Sequence, residues 1–214
     1  MSASRGQDAL LSSDSVLHRA SERLAHQFTG MVSEETVERI VFESYTALGR
    51  TATVSTHLPS LAEKFARDRL TALAQSRGFI AKPVPEVLYI CVQNSGRSQM
   101  AAALTRHLGG DRIHVRSAGS QPGAGILPSV VAVLAEIGID VAEEFPKPLT
   151  DDVVRAADAV VTMGCGDACP LYPGKRYLDW ELADPADLDL DGVRAVRDDV
   201  RERVEHLLSE LTPV

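Results

Sequence analysis

The fold of this 214-residue chain is decided by one stretch, Val87-Leu88-Tyr89-Ile90-Cys91-Val92-Gln93-Asn94-Ser95-Gly96-Arg97-Ser98. Its first four residues are apolar, and a short apolar run of this kind predicts a buried β-strand. Asparagine and glycine follow within a few residues, and both are typical of a loop. A helical pattern then begins at Ser98. The stretch therefore predicts a strand, a loop and a helix in succession, with a cysteine at the end of the strand.

The loop has the composition of a site for a tetrahedral oxyanion. A helix start carries unpaired backbone N–H groups and partial positive charge, and both attract anions. The arginine side chain adds a two-pronged hydrogen bond that matches two oxygens of such an ion. Gly96 permits a positive φ angle that other residues resist. Asn94 tolerates the left-handed region better than most residues and can tie the loop to itself. The predicted binding groups belong to Val92, Gln93, Asn94, Ser95, Gly96 and Arg97.

Cys91 is predicted to be a nucleophile at the base of this loop. The field that binds an anion also favours a thiolate, and Ser98 is placed to donate a hydrogen bond to the sulfur. The alternative is a cysteine that only fills space at the end of a strand, as many free cysteines do. A Cys-x5-Arg-Ser pattern at a strand-to-helix junction favours the catalytic interpretation.

The chain is predicted to contain two domains, residues 1–82 and residues 83–214. The first carries three amphipathic helical patterns, which indicate a small three-helix bundle. The third of these helices is predicted to begin at Ser60, because Ser60 and Glu63 match a capping box. The boundary is placed at Lys82-Pro83-Val84-Pro85, because a proline-rich joint interrupts regular structure.

The second domain is predicted to be α/β. Apolar strands alternate with helices along it, and this order indicates a parallel sheet covered by helices on both faces. The predicted strands are Val87–Cys91, Ile113–Ser117, Ala159–Met163 and Lys175–Leu178, and the predicted helices are Ser98–Leu108, Pro128–Ile137, Thr150–Ala156 and Asp191–Leu211.

The charge distribution argues against nucleic acid as the main partner. The net charge is −8; positions 1–82 hold 10 basic and 9 acidic residues, and positions 83–214 hold 12 basic and 21 acidic residues. Binding to a phosphate backbone needs clustered Lys and Arg, which an acidic body does not provide. A small anion is still a suitable ligand, because a ring of backbone N–H groups can hold it locally.

We expect a cytoplasmic protein without a membrane span. The first twenty residues are polar and do not resemble a secretory signal, and no stretch approaches the ~18–20 apolar residues of a membrane helix. Three cysteines in a reducing compartment favour catalysis or redox exchange over structural disulfides.

Several short motifs occur together in residues 86–214: Cys91-x5-Arg97-Ser98 with Asn94 inside it, Gln99-Met100-Ala101, Arg116-Ser117-Ala118-Gly119, Met163-Gly164-Cys165-x3-Cys169-Pro170, and Asp184-Pro185. With these motifs the region resembles the low-molecular-weight tyrosine phosphatase superfamily, and within it the thioredoxin-coupled arsenate reductases. The resemblance implies a flavodoxin-like four-stranded parallel sheet, with the cysteine loop at its carboxyl edge where ligands bind in such sheets.

The resemblance also implies reduction of arsenate to arsenite, an arsenic detoxification reaction. Cys91, Cys165 and Cys169 would act in turn, with thioredoxin as the external reductant and no bound cofactor. Residues i and i+4 on a helical turn have Cα atoms roughly 6 Å apart, which suits a disulfide between the last two cysteines. Unpartnered cysteines or a zinc site are the alternatives. Zinc needs further donors, and the six histidines show no ligand spacing, so we expect no metal.

Asp184 is assigned by the resemblance as the general acid that protonates the departing oxygen, and Ser117 as a support for the loop. The alternative function is a phosphatase for a phosphorylated protein or a small ester. Phosphatases of this kind usually carry proline after the Arg-Ser pair and aromatic residues near the Asp-Pro site. This chain has Gln99 and Ala186-Asp187 there, which disfavours a flat aromatic substrate.

The first 82 residues have several possible roles. A DNA-binding or metal-sensing module is compatible with three helices, but the segment is only +1 and neither the second nor the third helix carries a one-sided basic stripe. A docking bundle fits better, including a possible homodimer through these helices, and a purely stabilising extension is an alternative to it.

Overall fold

The computed structural model describes residues 13–52, 56–164 and 170–212, so Cys165 and Cys169 lie outside the described residues. The chain divides into two compact units, Met1–Ala74 and Gln75–Val214. This division falls within the last turn of a helix that precedes the predicted joint at residues 82–85, and the boundary at 82/83 stays a prediction. Among the described residues, no helix combines the length and the apolar composition required to cross a membrane.

The first unit is built from three helices, as predicted. They are α1 (Ser13–Gln27), α2 (Glu34–Gly49) and α3 (Leu58–Ser76), whose last two residues belong to the second unit. Each helix buries one apolar stripe, because apolar residues recur at helical spacing. The side chains on these stripes that are buried include Leu17, Leu24, Val37, Ile40, Phe65 and Leu70.

Local sequence motifs explain where two helices of this unit, α2 and α3, begin. Ser33 caps α2, and its hydroxyl accepts a hydrogen bond from the N–H of Thr36. The capping-box prediction at Ser60 is wrong, because α3 begins at Leu58 and Ser60 lies inside it. Pro59 explains the earlier start, since proline is well suited to a first helical turn, where its missing N–H is not needed.

The second unit contains a four-stranded parallel sheet in the order β2-β1-β3-β4. The strands are β1 (Glu86–Cys91), β2 (His114–Gly119), β3 (Ala159–Met163) and β4 (Arg176–Asp179). The remaining helices are α4 (Arg97–Gly109), α5 (Pro128–Ala135), α6 (Asp151–Ala156) and α7 (Leu190–Leu211), with short 3₁₀ turns at Gly110–Arg112 and Pro185–Asp187. The predicted fold class is confirmed.

The central strand β1 is fully buried along its length. Its alternate residues Val87, Tyr89 and Cys91 join a core with side chains of α4, α5 and α7. Leu88 and Ile90 point to the opposite face and are equally inaccessible. Burial on both faces explains why this strand reads as a continuous apolar run.

A buried ion pair lies at the amino-terminal edge of the sheet. Arg116 Nε donates to Glu86 Oε1 over 2.8 Å, and both side chains are almost fully buried. The Nδ1 atom of His114 lies 3.0 Å from the other carboxylate oxygen. Burial alone would raise the pKa of Glu86, but the hydrogen bond from His114 and the charge and hydrogen bond of Arg116 outweigh it, so the pKa lies below the ordinary value of 4.5.

We expect Glu86→Gln to lower the free energy of unfolding by about 3 kcal/mol at pH 7, because it leaves the buried charge of Arg116 without a carboxylate. A lowered pKa in the folded state means that this contribution is complete above pH 4.5 and is lost as the pH falls further through the folded-state pKa. Urea denaturation at pH 7 and pH 3 should therefore show a smaller difference between wild type and variant at pH 3.

Glu205→Gln is the matched control, because Glu205 pairs with Arg201 at an exposed site. Its substitution should change stability by less than about 0.5 kcal/mol. An equal effect of the two substitutions at pH 7 would contradict the importance of the buried pair.

Candidate functional site

The site lies at the carboxyl edge of the sheet, where β1 turns into α4. Cys91 is the last residue of β1 and Arg97 is the first residue of α4, so the predicted loop occupies the whole turn between them. In the sheet Cys91 pairs with Gly119 of β2 and with Met163 of β3. The ends of three strands therefore meet around the cysteine.

The sulfur of Cys91 receives hydrogen bonds from two donors. The N–H of Asn94 lies 3.2 Å from the sulfur, and the hydroxyl oxygen of Ser98 lies 2.9 Å from it. Ser98 already accepts a hydrogen bond from the side-chain amide of Asn94 over 2.8 Å. The single hydroxyl proton of Ser98 is then available for the sulfur. The backbone N–H of Asn94 and the hydroxyl of Ser98 are thus both placed to donate to the sulfur.

Asn94 organises the loop through its side chain and its backbone. Its amide oxygen accepts hydrogen bonds from the side chain of Gln99 at 3.2 Å and from the backbone N–H of Lys147 at 2.8 Å. Asn94 also has a φ angle of 49°, a left-handed conformation that asparagine tolerates better than most residues. The prediction that Asn94 ties the loop together is borne out, with Lys147 as a partner that the sequence did not indicate.

Gly96 does not use the positive φ angle that glycine permits. Its φ is −130°, and the left-handed position in the loop belongs to Asn94. Glycine is required at position 96 for space instead. A Cβ atom there would lie 3.3 Å from Leu127 and 3.3 Å from Pro185, which is tighter than ordinary van der Waals contact.

The carbonyl groups of the loop are held by the connection between β2 and α5. The N–H groups of residues 120, 121, 123 and 127 donate to the carbonyls of residues 91, 92, 93 and 95, respectively. In a planar trans peptide the N–H points away from the C=O. The N–H groups of Val92, Gln93, Asn94 and Gly96 therefore face away from this connection. That of Asn94 reaches the sulfur, so these donors form a cradle on the sulfur's side of the loop.

The close approach of β2 to the loop depends on Gly119 rather than on Ser117. A Cβ atom on Gly119 would lie 2.7 Å from the carbonyl oxygen of Val92 and 2.9 Å from the nitrogen of Asn94. The Ser117 hydroxyl, predicted to support the loop, is buried without a hydrogen-bond partner among the described residues. The glycine two residues further along the strand makes the contact.

Arg97 and Asp184 lie together, although 86 residues separate them in the sequence. The Arg97 Nη2 atom donates to Asp184 Oδ2 over 2.6 Å, and the arginine side chain is largely buried whereas the carboxylate is exposed. The other carboxylate oxygen accepts the N–H of Ala186 and caps the 3₁₀ turn Pro185–Asp187. The guanidinium has further N–H groups that can bind an anion.

Gly164 sets the position of the Arg97 side chain. This glycine directly follows β3 and has a φ angle of 74°. A Cβ atom on it would lie only 2.9 Å from the Nη1 atom of Arg97. The contact had no signal in the sequence beyond the presence of a glycine. It brings the residue before Cys165 against the anion-binding arginine.

The structure thus brings together Cys91, the loop from Val92 to Gly96, Arg97, Ser98 and Asp184. The predicted roles of Cys165 and Cys169 fall outside the described residues. Within residues 13–52, 56–164 and 170–212, no group of His, Cys, Asp or Glu side chains is arranged to hold a metal ion.

Two family models match the chain. The model described as low molecular weight phosphotyrosine protein phosphatase matches residues 86–213. The model described as protein-tyrosine-phosphatase-like, N-terminal domain matches residues 17–74. The first match covers the whole sheet and its loop, and the second covers the helical unit.

Solved and curated relatives agree with these matches. A thioredoxin-dependent arsenate reductase of Corynebacterium glutamicum is 49% identical, with a TM-score of 0.83, over 92% of this chain and 96% of that one. A solved arsenate reductase in the phosphate binding state is 33% identical, with a TM-score of 0.52, over 60% of this chain and 99% of that one. A glutaredoxin arsenate reductase of Synechocystis is 33% identical over 59% of this chain and 98% of its own length.

We expect Ser98→Ala to slow alkylation of Cys91 by iodoacetamide at pH 7 about tenfold. The substitution removes a hydrogen bond to a charged acceptor, and such a bond contributes about 1.5–3 kcal/mol. The rate is measured in chains whose other two cysteines are serine, so that a single thiol reacts. Ser209→Ala in α7 is the control and should react at the wild-type rate. Equal rates for the two variants would exclude a role of Ser98 at the sulfur.

We expect Gly164→Ala to weaken the binding of inorganic phosphate about tenfold, because the added methyl group displaces the Arg97 guanidinium. Gly138→Ala is the matched control. Gly138 has a similar φ angle of 78°, but its added Cβ would meet nothing within 4 Å. Calorimetric titration with phosphate should show the loss in Gly164→Ala alone. A similar loss in both variants would assign the effect to backbone strain.

Proposed function

The chain belongs to the low molecular weight phosphotyrosine protein phosphatase family, and we propose that it reduces arsenate to arsenite through a relay of three cysteines, with thioredoxin as the external reductant. The observation that carries the proposal is the buried sulfur of Cys91, which accepts two hydrogen bonds at the base of a loop lined with N–H groups. The relative that matches nearly the whole chain is itself named a thioredoxin-dependent arsenate reductase.

The substrate in this proposal is a tetrahedral oxyanion, bound by the loop and by Arg97. A cradle of N–H groups at a helix start suits such an anion. A related arsenate reductase has been solved in a phosphate binding state, which supports an oxyanion site of this kind. Electrons come from an external dithiol, so we propose that no bound cofactor takes part.

The first step forms a covalent adduct. The thiolate of Cys91 attacks arsenic(V), a sulfur–arsenic bond forms, and one oxygen leaves as water after taking a proton. We assign the donation of that proton to Asp184, whose carboxyl group lies beside Arg97 at the edge of the loop.

The second step transfers the electrons. Cys165 attacks the sulfur of Cys91, the sulfur–arsenic bond breaks with its electron pair on arsenic, and arsenite leaves. Cys91 and Cys165 are then joined by a disulfide. Cys169 attacks Cys165, which frees Cys91 and leaves a Cys165–Cys169 disulfide for thioredoxin to reduce. Each arsenate thus consumes two electrons from one dithiol.

The register of the sheet supports the first transfer. Cys91 pairs with Met163, and neighbouring strands lie about 4.8 Å apart. Cys165 comes two residues after Met163, a span of at most about 7 Å. The two Cα atoms are therefore limited to roughly 12 Å apart whatever conformation Cys165 adopts, so only a short movement can be needed for the sulfurs to meet.

A phosphatase is the alternative function. Formation and hydrolysis of a phosphocysteine need only Cys91, Arg97 and Asp184, of which the last two are hydrogen-bonded to each other. Residual hydrolysis of an aryl phosphate is therefore expected even from a reductase. The two functions are distinguished by comparing this hydrolysis with arsenate-dependent NADPH oxidation in the presence of thioredoxin and its reductase.

We expect the cysteine variants to separate the steps. Cys91→Ser should abolish both arsenate reduction and aryl phosphate hydrolysis, because it removes the nucleophile. Cys165→Ser should retain aryl phosphate hydrolysis and lose arsenate reduction. Cys169→Ser should release about one arsenite per chain and then stop, since its Cys91–Cys165 disulfide has no internal attacker. Sustained turnover by Cys169→Ser would exclude the relay.

Other expectations from the sequence stay predictions. They are a cytoplasmic location, the absence of nucleic acid among the partners and a possible homodimer through the N-terminal helices. The helical unit that matches the N-terminal domain model accompanies the catalytic unit here, and a docking role for it remains our preferred interpretation.

A further inference from the structure

Leu171, in the second unit, has an apolar side chain that is exposed to solvent. It is 75% exposed, the largest exposed fraction among the large apolar side chains of the described residues. It comes two residues after Cys169, the last cysteine of the proposed relay. The exposure of a leucine contributes nothing to the core, and a single exposed apolar residue is unremarkable by itself. Its backbone, however, is held unusually firmly on both sides.

Tyr177 of β4 fixes the chain before and after Leu171. Its hydroxyl donates to the carbonyl oxygen of Pro170 over 3.2 Å. The same hydroxyl oxygen accepts the backbone N–H of Tyr172 over 2.9 Å. One side chain thus bridges the two neighbours of the exposed leucine. The leucine is presented on a braced turn, because both flanking peptide groups are tied to a strand of the sheet.

The Tyr172 side chain adds a second attachment, to α6. Its hydroxyl donates to the Oδ1 atom of Asp151. The guanidinium carbon of Arg155 lies 4.2 Å from the centre of the Tyr172 ring, a cation–π contact. Arg155 also pairs with Asp151 over 2.7 Å, so the three side chains hold one another. The turn that carries Leu171 is therefore anchored both to β4 and to α6.

We propose that Leu171 is the apolar anchor on which the thioredoxin-type reductant docks. The proposal rests on the proposed function and names the surface that its last step requires. To reduce the Cys165–Cys169 disulfide, the reductant must bring its own thiolate to one of these sulfurs. Leu171 is two residues from Cys169, so the two Cα atoms are at most about 7 Å apart. A protein that reaches the disulfide therefore comes close to this leucine.

The rigid presentation of Leu171 suits a transient partner. Association loses free energy when flexible groups become ordered, and a braced turn has little mobility left to lose. A few apolar anchors commonly supply most of the affinity of an interface. A protein dithiol with an apolar surface beside its reactive sulfur fits such an anchor, whereas a small thiol makes no use of it.

The two electrons for the reaction at this surface come from the two thiols of the reductant. One thiolate of the reductant attacks the Cys165–Cys169 disulfide, and a mixed disulfide forms as one cysteine leaves as a thiolate. The second thiol of the reductant then attacks the mixed disulfide and releases the other cysteine. The chain gains two electrons and the reductant becomes a disulfide.

The test compares Leu171→Ala in the full chain with wild type at varied thioredoxin concentration. We expect the KM for thioredoxin to rise about fivefold to tenfold, while the kcat at saturating thioredoxin changes less than twofold. Turnover driven by dithiothreitol and hydrolysis of an aryl phosphate should stay at the wild-type rate. Leu190→Ala, an exposed leucine in α7, is the matched control and should leave the KM for thioredoxin unchanged.

Tyr177→Phe tests the bracing separately. It keeps Leu171 but removes the hydroxyl that holds both neighbours, so we expect a smaller rise in the KM for thioredoxin, about twofold to threefold. Turnover driven by dithiothreitol should again stay at the wild-type rate. A variant that folded poorly would instead lose this turnover as well.

The outcomes distinguish this proposal from the proposed function. An unchanged KM for thioredoxin in Leu171→Ala, or an equal fall in the dithiothreitol-driven rate, would overturn the anchor and leave the reductase intact. Wild-type turnover with dithiothreitol but not with thioredoxin would also overturn it. A wild-type chain that reduces no arsenate with either reductant would instead refute the proposed function.

Discussion

The catalytic arrangement depends on the side-chain amide of Asn94. Its N–H group donates to Ser98, and this bond leaves the Ser98 hydroxyl proton for the sulfur of Cys91. Its oxygen accepts from Gln99 in α4 and from the backbone of Lys147, which lies far along the sequence. One amide thus connects the helix start, a distant segment and the nucleophile. Buried polar groups in such a network stabilise a single geometry only when each has its partners.

The parallel sheet explains how the other parts of the site meet. Because all strands run in the same direction, their carboxyl ends lie at one edge. In the register of the sheet, Cys91 lies between Gly119 of β2 and Met163 of β3. Gly119 is itself a glycine, and Met163 is followed directly by Gly164. Gly119 lets the second strand approach the loop, and Gly164 lets the end of the third strand approach Arg97. The missing side chains, rather than the conformational freedom of glycine alone, create the space in which an anion can be bound.

Much of this arrangement could be predicted from the sequence. Apolar runs identified β1 and β3, because strands that are buried on both faces of a parallel sheet require them, whereas β4 is only partly buried. The contact between Cys91 and Ser98 is local and followed from the strand–loop–helix motif. Positions that depend on distant segments were not predictable in this way. The contacts that a side chain at position 96 would make with Leu127 and Pro185 come from segments far along the sequence, and the sequence did not indicate them.

In the proposed relay, the binding of the oxidant and the delivery of electrons involve different ends of one short stretch. Gly164 precedes the two relay cysteines and lies against the buried Arg97 of the anion site. Pro170 follows them and is tied through its carbonyl to Tyr177, on a turn that exposes Leu171. The proposed anion site is thus connected to one end of this stretch and the proposed surface for a reductant to the other. A substitution at the first end should act on affinity for the anion, and one at the second end on affinity for the reductant. A substitution can therefore alter the affinity for the anion without altering the affinity for the reductant, and the reverse.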